Sequence, residues 1–205
     1  VLLKGPVLSR SGYGEQTRFA LRSLRTKPEL FDVYLLNIPW GRTGHISEQN
    51  EESDFIKYSL IKTSEHIRRG GQFDMSVQVT VPNEFEKIAP VNIGYTAGIE
   101  TNKVSPQWIQ KSNATVDKVI VVSNHSKKTF LDTKYTIQNS QTGETTDNWG
   151  LQVPVEAVNY PVRMVDPEPL DIDITTNNNF LVVSQWGVRK NLENTIRWFV
   201  QEFED

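Results

Sequence analysis

Short apolar runs recur along the chain and alternate with segments of helical period. These runs are rich in β-branched residues and predict strands at Val1–Leu8, Phe31–Ile38, Phe73–Val81, Val91–Thr96, Lys118–Val122, Val155–Val162 and Phe180–Gln185. Between the first two runs, Thr17, Ala20, Leu21 and Leu24 fall on one helical face. Strands that alternate with helices in this order favour a largely parallel sheet covered by helices. The pattern therefore predicts an α/β fold.

Residue types mark one strand-to-helix junction and two breaks in the pattern. Residues 117–123 (DKVIVVS) predict a buried strand, after which Ser123 or Asn124 caps a helix that carries Phe130 and Leu131. Residues 138–150 are polar and rich in turn formers, which predicts an exposed loop or hairpin tip. Residues 166–179 hold two prolines, four acids and three consecutive asparagines, a composition typical of a linker.

The linker separates a first domain, residues 1–165, from residues 180–205. A strand predicted over 180–184 is followed by a helix whose apolar stripe consists of Leu192, Ile196, Phe199, Val200 and Phe203. Because one strand and one helix cannot bury such a stripe alone, we expect residues 180–205 to open a truncated second domain of a longer protein. The stripe is then expected to lie against the first domain or another chain. An earlier natural start is also expected, since Val1 lies inside an apolar run with no Met before it.

Composition excludes several classes of protein. The 205 residues include 22 Lys+Arg and 25 Asp+Glu, a net charge of -3 that argues against nucleic acid as the main partner. The absence of cysteine excludes a disulfide scaffold, a thiolate zinc site and a cysteine nucleophile. The three histidines, His45, His66 and His125, do not have metal-ligand spacing. No apolar run approaches the roughly 18 residues that span a bilayer, so we expect a globular protein of the cytoplasm.

The loop after the first strand, residues 9–18 (SRSGYGEQTR), is the most informative candidate site. Ligands of parallel sheets collect beyond the carboxyl ends of the strands. Gly12 and Gly14 would let the backbone turn sharply and approach a ligand closely, and the helix start behind them presents N–H groups to phosphate or a sugar hydroxyl. The G-x-G spacing lacks the third glycine of a dinucleotide fingerprint, and an ordinary tight turn explains it equally well.

Further candidates follow three later strands. Glu100, in residues 94–102 (GYTAGIETN), could accept hydrogen bonds from sugar hydroxyls, although an exposed glutamate in a helix-entry loop is an equal alternative. Ser123 is expected at a strand end, with a solvated His125 beside it. Arg189 and Lys190 are predicted at a helix start, where the helix dipole disfavours cations. Cations in such a place indicate a bound anion such as phosphate, with an ordinary solvated pair as the alternative.

These segments, in this order, resemble the retaining GT-B-fold glycosyltransferases of family 4. The resemblance covers most of the chain and rests on SGYGEQTR, IGYTAGIETN, DKVIVVSNHSKKTFL, VEAVNYPVR and FLVVSQWGVRKNLENTIRWF. It implies two Rossmann-like domains, each a parallel sheet with helices on both faces, that enclose a cleft. The first domain would hold most of the acceptor site and the second most of the nucleotide-sugar site. The last of these segments would form the first strand and helix of the second domain.

The resemblance implies a hexosyltransferase-type activity in carbohydrate biosynthesis. A sugar would pass from a nucleotide-sugar, as co-substrate, to a hydroxyl of a sugar, glycan or glycolipid, with retention and without a metal or other cofactor. The positions implied near the donor phosphates are Gly12, Gly14, Arg189 and Lys190, and those on the acceptor side of the cleft are Tyr13, Glu100, Thr101 and Ser123. No general base is assigned. Such an enzyme allows peripheral membrane contact, and the apolar stripe allows self-association.

Three departures from the family pattern keep other functions open. Ser184-Gln185-Trp186 stands where the family has a glycine-arginine pair, and Thr96-Ala97-Gly98 stands where a histidine is common. The paired glutamates of the second domain would lie beyond Asp205, so the chain alone is expected to be inactive. One alternative is a non-catalytic sugar- or nucleotide-binding subunit of the same fold. Another is a nicotinamide-dependent oxidoreductase, which the incomplete glycine fingerprint disfavours.

Overall fold

The computed structural model describes residues 1–41, 43–138, 141–162, 164–169, 171–184 and 186–204. The chain divides into two compact units, Val1–Val162 and Arg163–Asp205. Among the residues used in the sequence predictions, those outside the described part are Asn139, Ser140, Arg163, Leu170, Gln185 and Asp205.

A parallel sheet with flanking helices forms the first unit. Its strands are Leu2–Gly5 (β1), Tyr34–Asn37 (β2), Met75–Val79 (β3), Val91–Thr96 (β4), Lys118–Val121 (β5), Tyr135–Gln138 (β6), Thr145–Trp149 (β7) and Val155–Ala157 (β8). Six of them form one sheet in the order β2-β1-β3-β4-β5-β8, and every neighbouring pair is parallel. The helices of this unit are Gly12–Arg25 (α1), Glu51–Arg68 (α2), Pro106–Thr115 (α3) and Asn124–Asp132 (α4). The predicted α/β class is confirmed, and the architecture is consistent with a Rossmann-like fold.

The core lies on both faces of the sheet because side chains alternate along each strand. Leu21 of α1 and Ile56 of α2 belong to the core cluster on one face, which includes Val77 and Val79 of β3. On the other face, the cluster contains Val119 and Val121 of β5 together with Phe85, Ile109 and Phe130.

Buried polar side chains hold the segment between β3 and β4 against the sheet. Asn92 Oδ1 accepts hydrogen bonds from the N–H groups of Ile88 and Ala89, each at 3.0 Å, and from Ser76 Oγ at 2.9 Å. Its Nδ2 donates to the carbonyl oxygen of Ala89 at 2.7 Å. The side chain therefore satisfies four polar groups in a largely buried region, as folded proteins require.

The polar segment over 138–150 forms much of a hairpin. Strands β6 and β7 pair antiparallel, and residues 141–144 lie exposed between them. The prediction of a hairpin tip is confirmed, although most of the segment after residue 144 is itself a strand. This happens because β7 has β6 as a partner for its backbone groups.

The second unit is less regular than the sequence predicts. Its described residues form one 3-10 turn, Val188–Lys190, and one helix, Leu192–Glu202 (α5). The predicted strand over 180–184 is wrong, because no described strand of this unit offers backbone partners for it. The predicted helix is confirmed.

The apolar stripe of α5 is not buried in this chain. Ile196, Phe199, Val200 and Phe203 are 43–58% exposed, and α5 has no buried residue. The ring of Phe180 lies 5.1 Å from that of Phe199 and 5.5 Å from that of Phe203, forming a small aromatic cluster within the unit. Contact of the stripe with the first domain or with another chain stays a prediction. In the described part of the chain, no helix combines the length and hydropathy needed to cross a bilayer.

Candidate functional site

The strand order places a topological switch point at the carboxyl edge of the sheet. The chain leaves β1 for β2 on one side and later returns to β3 on the other, so the connections after β1 and β3 diverge. In open parallel sheets, ligands bind outside the strand ends at such a switch point. The loop carrying Gly12 and Gly14 follows β1, and the segment carrying Thr80 and Glu84 follows β3.

The start of α1 is open at this edge. Ser11 is the N-cap, and its Oγ accepts a hydrogen bond from the N–H of Gly14 at 3.1 Å. Within the described residues, the N–H groups of Gly12 and Tyr13 have no hydrogen-bond acceptor. A Cβ atom at Gly12 would meet nothing within 4 Å. The helix therefore presents two backbone donors and its positive dipole end beside open space.

At Gly14, in contrast to Gly12, there is no space for a side chain. A Cβ atom there would lie 2.0 Å from the carbonyl oxygen of Ser9 and 3.1 Å from that of Pro6. The helix packs so closely on the preceding loop that a side chain has no room. Packing therefore explains Gly14 without a ligand, and its predicted place near a donor phosphate stays a prediction.

A buried arginine fixes the shape of this loop. Arg18, 6% exposed, donates from Nη1 to the carbonyl oxygens of Val7 at 2.7 Å and Ser9 at 3.0 Å. Its guanidinium also pairs with Glu15 at 2.8 Å. Burial acts to raise the pKa of Glu15, but hydrogen bonds from Arg22 and Arg18 outweigh it and lower that pKa. Glu15 is thus held as a carboxylate that orients the arginine.

Tyr13 joins the loop after β1 to the segment after β4. Its hydroxyl lies 3.0 Å from Thr96 Oγ1, donates to the carbonyl oxygen of Ala97 at 3.0 Å and accepts from the N–H of Ala97 at 3.1 Å. Its ring lies 4.6 Å from that of Trp40. Burial raises the pKa of Tyr13, so its hydroxyl stays protonated. Two of the motifs found in the sequence are therefore in direct contact, 83 residues apart.

Two residues near Tyr13, Gln16 and Tyr160, were missed by the sequence predictions. Gln16, 1% exposed, accepts a hydrogen bond at Oε1 from the hydroxyl of Tyr160 at 3.3 Å, and its Nε2 has no partner among the described residues. Burial and the neighbouring phenols of Tyr95 and Tyr13 raise the pKa of Tyr160 to about 12. The one sequence feature that could have indicated Gln16 is its place beside Thr17, on the helical face predicted to be buried. Its distant partner Tyr160 could not be read from spacing.

The second and third motifs meet around Thr101. Ser123 caps α4, and its Oγ accepts from the N–H of Ser126 at 3.1 Å, which confirms the predicted cap. His125 Nε2 lies 3.1 Å from the carbonyl oxygen of Thr101. Thr101 and Glu100 are exposed, and Gly98 before them has a φ of 81°, a conformation that favours glycine. Their predicted role with an acceptor stays a prediction.

The basic pair lies in the second unit and not in the first turn of its helix. Arg189 and Lys190 end the 3-10 turn Val188–Lys190, while α5 begins at Leu192. The charged residue in the first turn of α5 is Glu193, the sign that the helix dipole favours. The predicted conflict with the dipole is therefore smaller than the sequence suggested. The phosphate-binding role of Arg189 and Lys190 stays a prediction.

The carboxyl edge offers groups suited to a polar, uncharged or anionic ligand. The donors are the N–H groups of Gly12 and Tyr13, and the exposed carboxylate of Glu84 lies in the 3-10 turn Pro82–Glu84 after β3. The hydroxyl of Thr96 is fully buried and bonded to Tyr13. In the described part of the chain, no three His, Asp or Glu side chains come together in a way that could hold a metal ion. Comparison of the chain with protein-family models, curated proteins and solved structures finds no match.

Proposed function

We propose that the chain is the acceptor-side part of a retaining GT-B-fold glycosyltransferase. In this reaction, a sugar passes from a nucleotide-sugar to a hydroxyl of a sugar, glycan or glycolipid acceptor. The observation that carries the proposal is the open start of α1 at a topological switch point, tied by Tyr13 to the segment after β4. Backbone donors suited to phosphate, at the place where parallel sheets bind ligands, support this proposal.

The chemistry requires stabilisation of the diphosphate as its bond to the sugar breaks. The N–H groups of Gly12 and Tyr13 would contribute through the helix dipole, and Lys190 and Arg189 through their charge. Glu100, Thr101 and Ser123 would position the acceptor hydroxyl for attack on the anomeric carbon. Charge stabilisation and positioning supply most of the rate enhancement in such a mechanism. A cytoplasmic location belongs to the same proposal.

One feature favours a second candidate, a non-catalytic sugar- or nucleotide-binding subunit. Ser184 and Trp186 occupy the stretch where the family resemblance calls for a glycine-arginine pair. A subunit without that cation could retain ligand binding and lose transfer. The two candidates differ in turnover and agree in binding.

The test is a transfer and hydrolysis assay of the full-length natural protein with a panel of nucleotide-sugars. We expect turnover with one donor, and Lys190→Ala is expected to lower it by about 10²–10³, as for the loss of one preorganised stabilising group. Arg197→Ala is the matched control, because Arg197 is also an exposed cation of the second unit and pairs only with Glu193 in α5 among the described residues. Binding without turnover would favour the second candidate. Neither binding nor turnover with any donor would refute both.

A further inference from the structure

A pocket at the opposite edge of the sheet is unrelated to the candidate site. It lies between the last turn of α1, the loop that leads into β2 and the helix α2, and its volume is about 620 Å³. This edge holds the amino end of β2, whereas Gly12 and Tyr13 lie beyond the carboxyl end of β1. The volume falls within the range of small-molecule sites, about 300–1,000 Å³.

The walls of the pocket are aromatic. Phe31 and Phe55 are partly buried, while Tyr58 is 63% exposed beside them. The guanidinium of Arg25 lies 4.0 Å from the centre of the Phe55 ring, in cation–π contact. A planar ring that enters the pocket would cover the exposed side chain of Tyr58. It would also stack near the Phe55 ring, which is already in contact with the guanidinium of Arg25.

Two cations, Arg25 and Lys62, and one acid, Asp32, line the pocket, whereas Glu51, the partner of Arg25, lies outside the lining. The side chains of Arg25 and Lys62 are 31% and 23% exposed, whereas those of their partners Glu51 and Asp32 are 92% and 70% exposed. The Arg25–Glu51 contact, at 3.3 Å to an exposed carboxylate, is a weak surface pair. An anion inside the pocket can therefore replace Glu51 at little cost. Two cations against one carboxylate leave the lining with an excess of positive charge, which centres on Arg25 because Lys62 is paired with Asp32.

Ser59 adds an unpaired hydroxyl to this lining. It is fully buried on α2, and its Oγ has no hydrogen-bond partner in the part of the chain that the structure describes. A buried hydroxyl without a partner destabilises a fold, and a ligand oxygen would relieve that penalty. Rings, cations and a free hydroxyl thus meet in one place.

We propose that this pocket binds a small aromatic ring that carries one carboxylate. The ring would lie against Phe55 and Tyr58, and the carboxylate would lie between Arg25 and Lys62 within reach of Ser59. This assignment is independent of the proposed transferase activity, because it uses none of the residues of the carboxyl edge.

The test is a titration of the ¹⁵N-labelled 205-residue chain, followed by NMR. Benzoate is the probe, benzamide tests the charge, and cyclohexanecarboxylate tests the aromatic ring. We expect benzoate to shift amide signals of residues 25–33 and 55–62, with a dissociation constant in the millimolar range typical of so small a ligand. Both control compounds are expected to bind several times more weakly.

Variants separate binding from folding. Lys62→Gln is expected to weaken benzoate binding by about threefold to tenfold, while Lys57→Gln, an exposed lysine on the same helix outside the pocket, leaves it unchanged. Ser59→Ala should weaken binding and leave the unfolding midpoint equal or higher, because it removes an unsatisfied group. Shifts elsewhere in the chain, equal binding of benzamide, or equal effects of the two lysine variants would overturn the proposal.

Discussion

Replacement of Gly14 by alanine tests the packing of α1 on the loop before it. The new Cβ atom would lie 2.0 Å from the carbonyl oxygen of Ser9, so roughly 1.4 Å of movement is needed to reach an ordinary contact. The obstacle is backbone, and Arg18 holds that same carbonyl with a hydrogen bond of 3.0 Å. Overpacking of this kind costs about 1–3 kcal/mol, and the further loss of the arginine contact adds about 1 kcal/mol. We therefore expect a destabilisation of about 3 kcal/mol.

Gly12→Ala is the matched control, because the same methyl group two residues earlier meets nothing within 4 Å. It should leave stability unchanged or raise it by up to about 1 kcal/mol, through the reduced entropy of the unfolded chain. Urea unfolding followed by tryptophan fluorescence measures both variants. With a slope of about 2 kcal/mol per molar urea, the midpoint of Gly14→Ala should fall by about 1.5 M. Equal midpoints for the two variants would refute this account of the loop.

Three further predictions concern stability. Asn92→Ala removes four hydrogen bonds, three of them buried, and should cost about 4 kcal/mol by urea unfolding; a loss below about 1 kcal/mol would mean that the segment between β3 and β4 is held by other contacts. Because the folded pKa of Glu15 is lowered, its carboxylate stabilises the fold above its unfolded pKa and that contribution is lost as pH falls through the folded pKa. Wild type should therefore lose more stability than Glu15→Gln between about pH 5 and pH 3, and parallel curves would contradict this. The folded pKa of Tyr160 is raised to about 12, so its neutral phenol stabilises the fold below about pH 10 and that contribution is lost above it. The free energy of unfolding of wild type should therefore fall more than that of Tyr160→Phe from about pH 9 to pH 11. An equal decline would place the phenol in water.

Local patterns predicted most of the first unit. The apolar runs that end at Gly5 and Asn37 became neighbouring parallel strands, and Leu3 and Leu35 of these strands lie in the same core cluster. Ser123 was predicted as a helix cap because a hydroxyl at that place serves the N–H groups of the next turn. Such features depend on residues close in sequence.

Features that depend on distant partners were not predictable. The run over 180–184 has strand-like residues but no described strand in its unit to pair with. The link from Tyr13 to Ala97 and the hydrogen bond from Tyr160 to Gln16 join residues more than 80 positions apart. The two glycines of one motif also look alike in sequence, and only their surroundings separate a packing role for Gly14 from open space at Gly12.

The central claim is that the open start of α1 binds the phosphate or sugar of a nucleotide-sugar. Isothermal titration calorimetry of the full-length protein with the preferred nucleotide-sugar, compared between wild type and Gly12→Ala, tests it most directly. The methyl group should crowd the N–H groups of Gly12 and Tyr13 and weaken binding by about tenfold, with the unfolding midpoint unchanged or higher. Full affinity in Gly12→Ala would place the ligand elsewhere and contradict the claim.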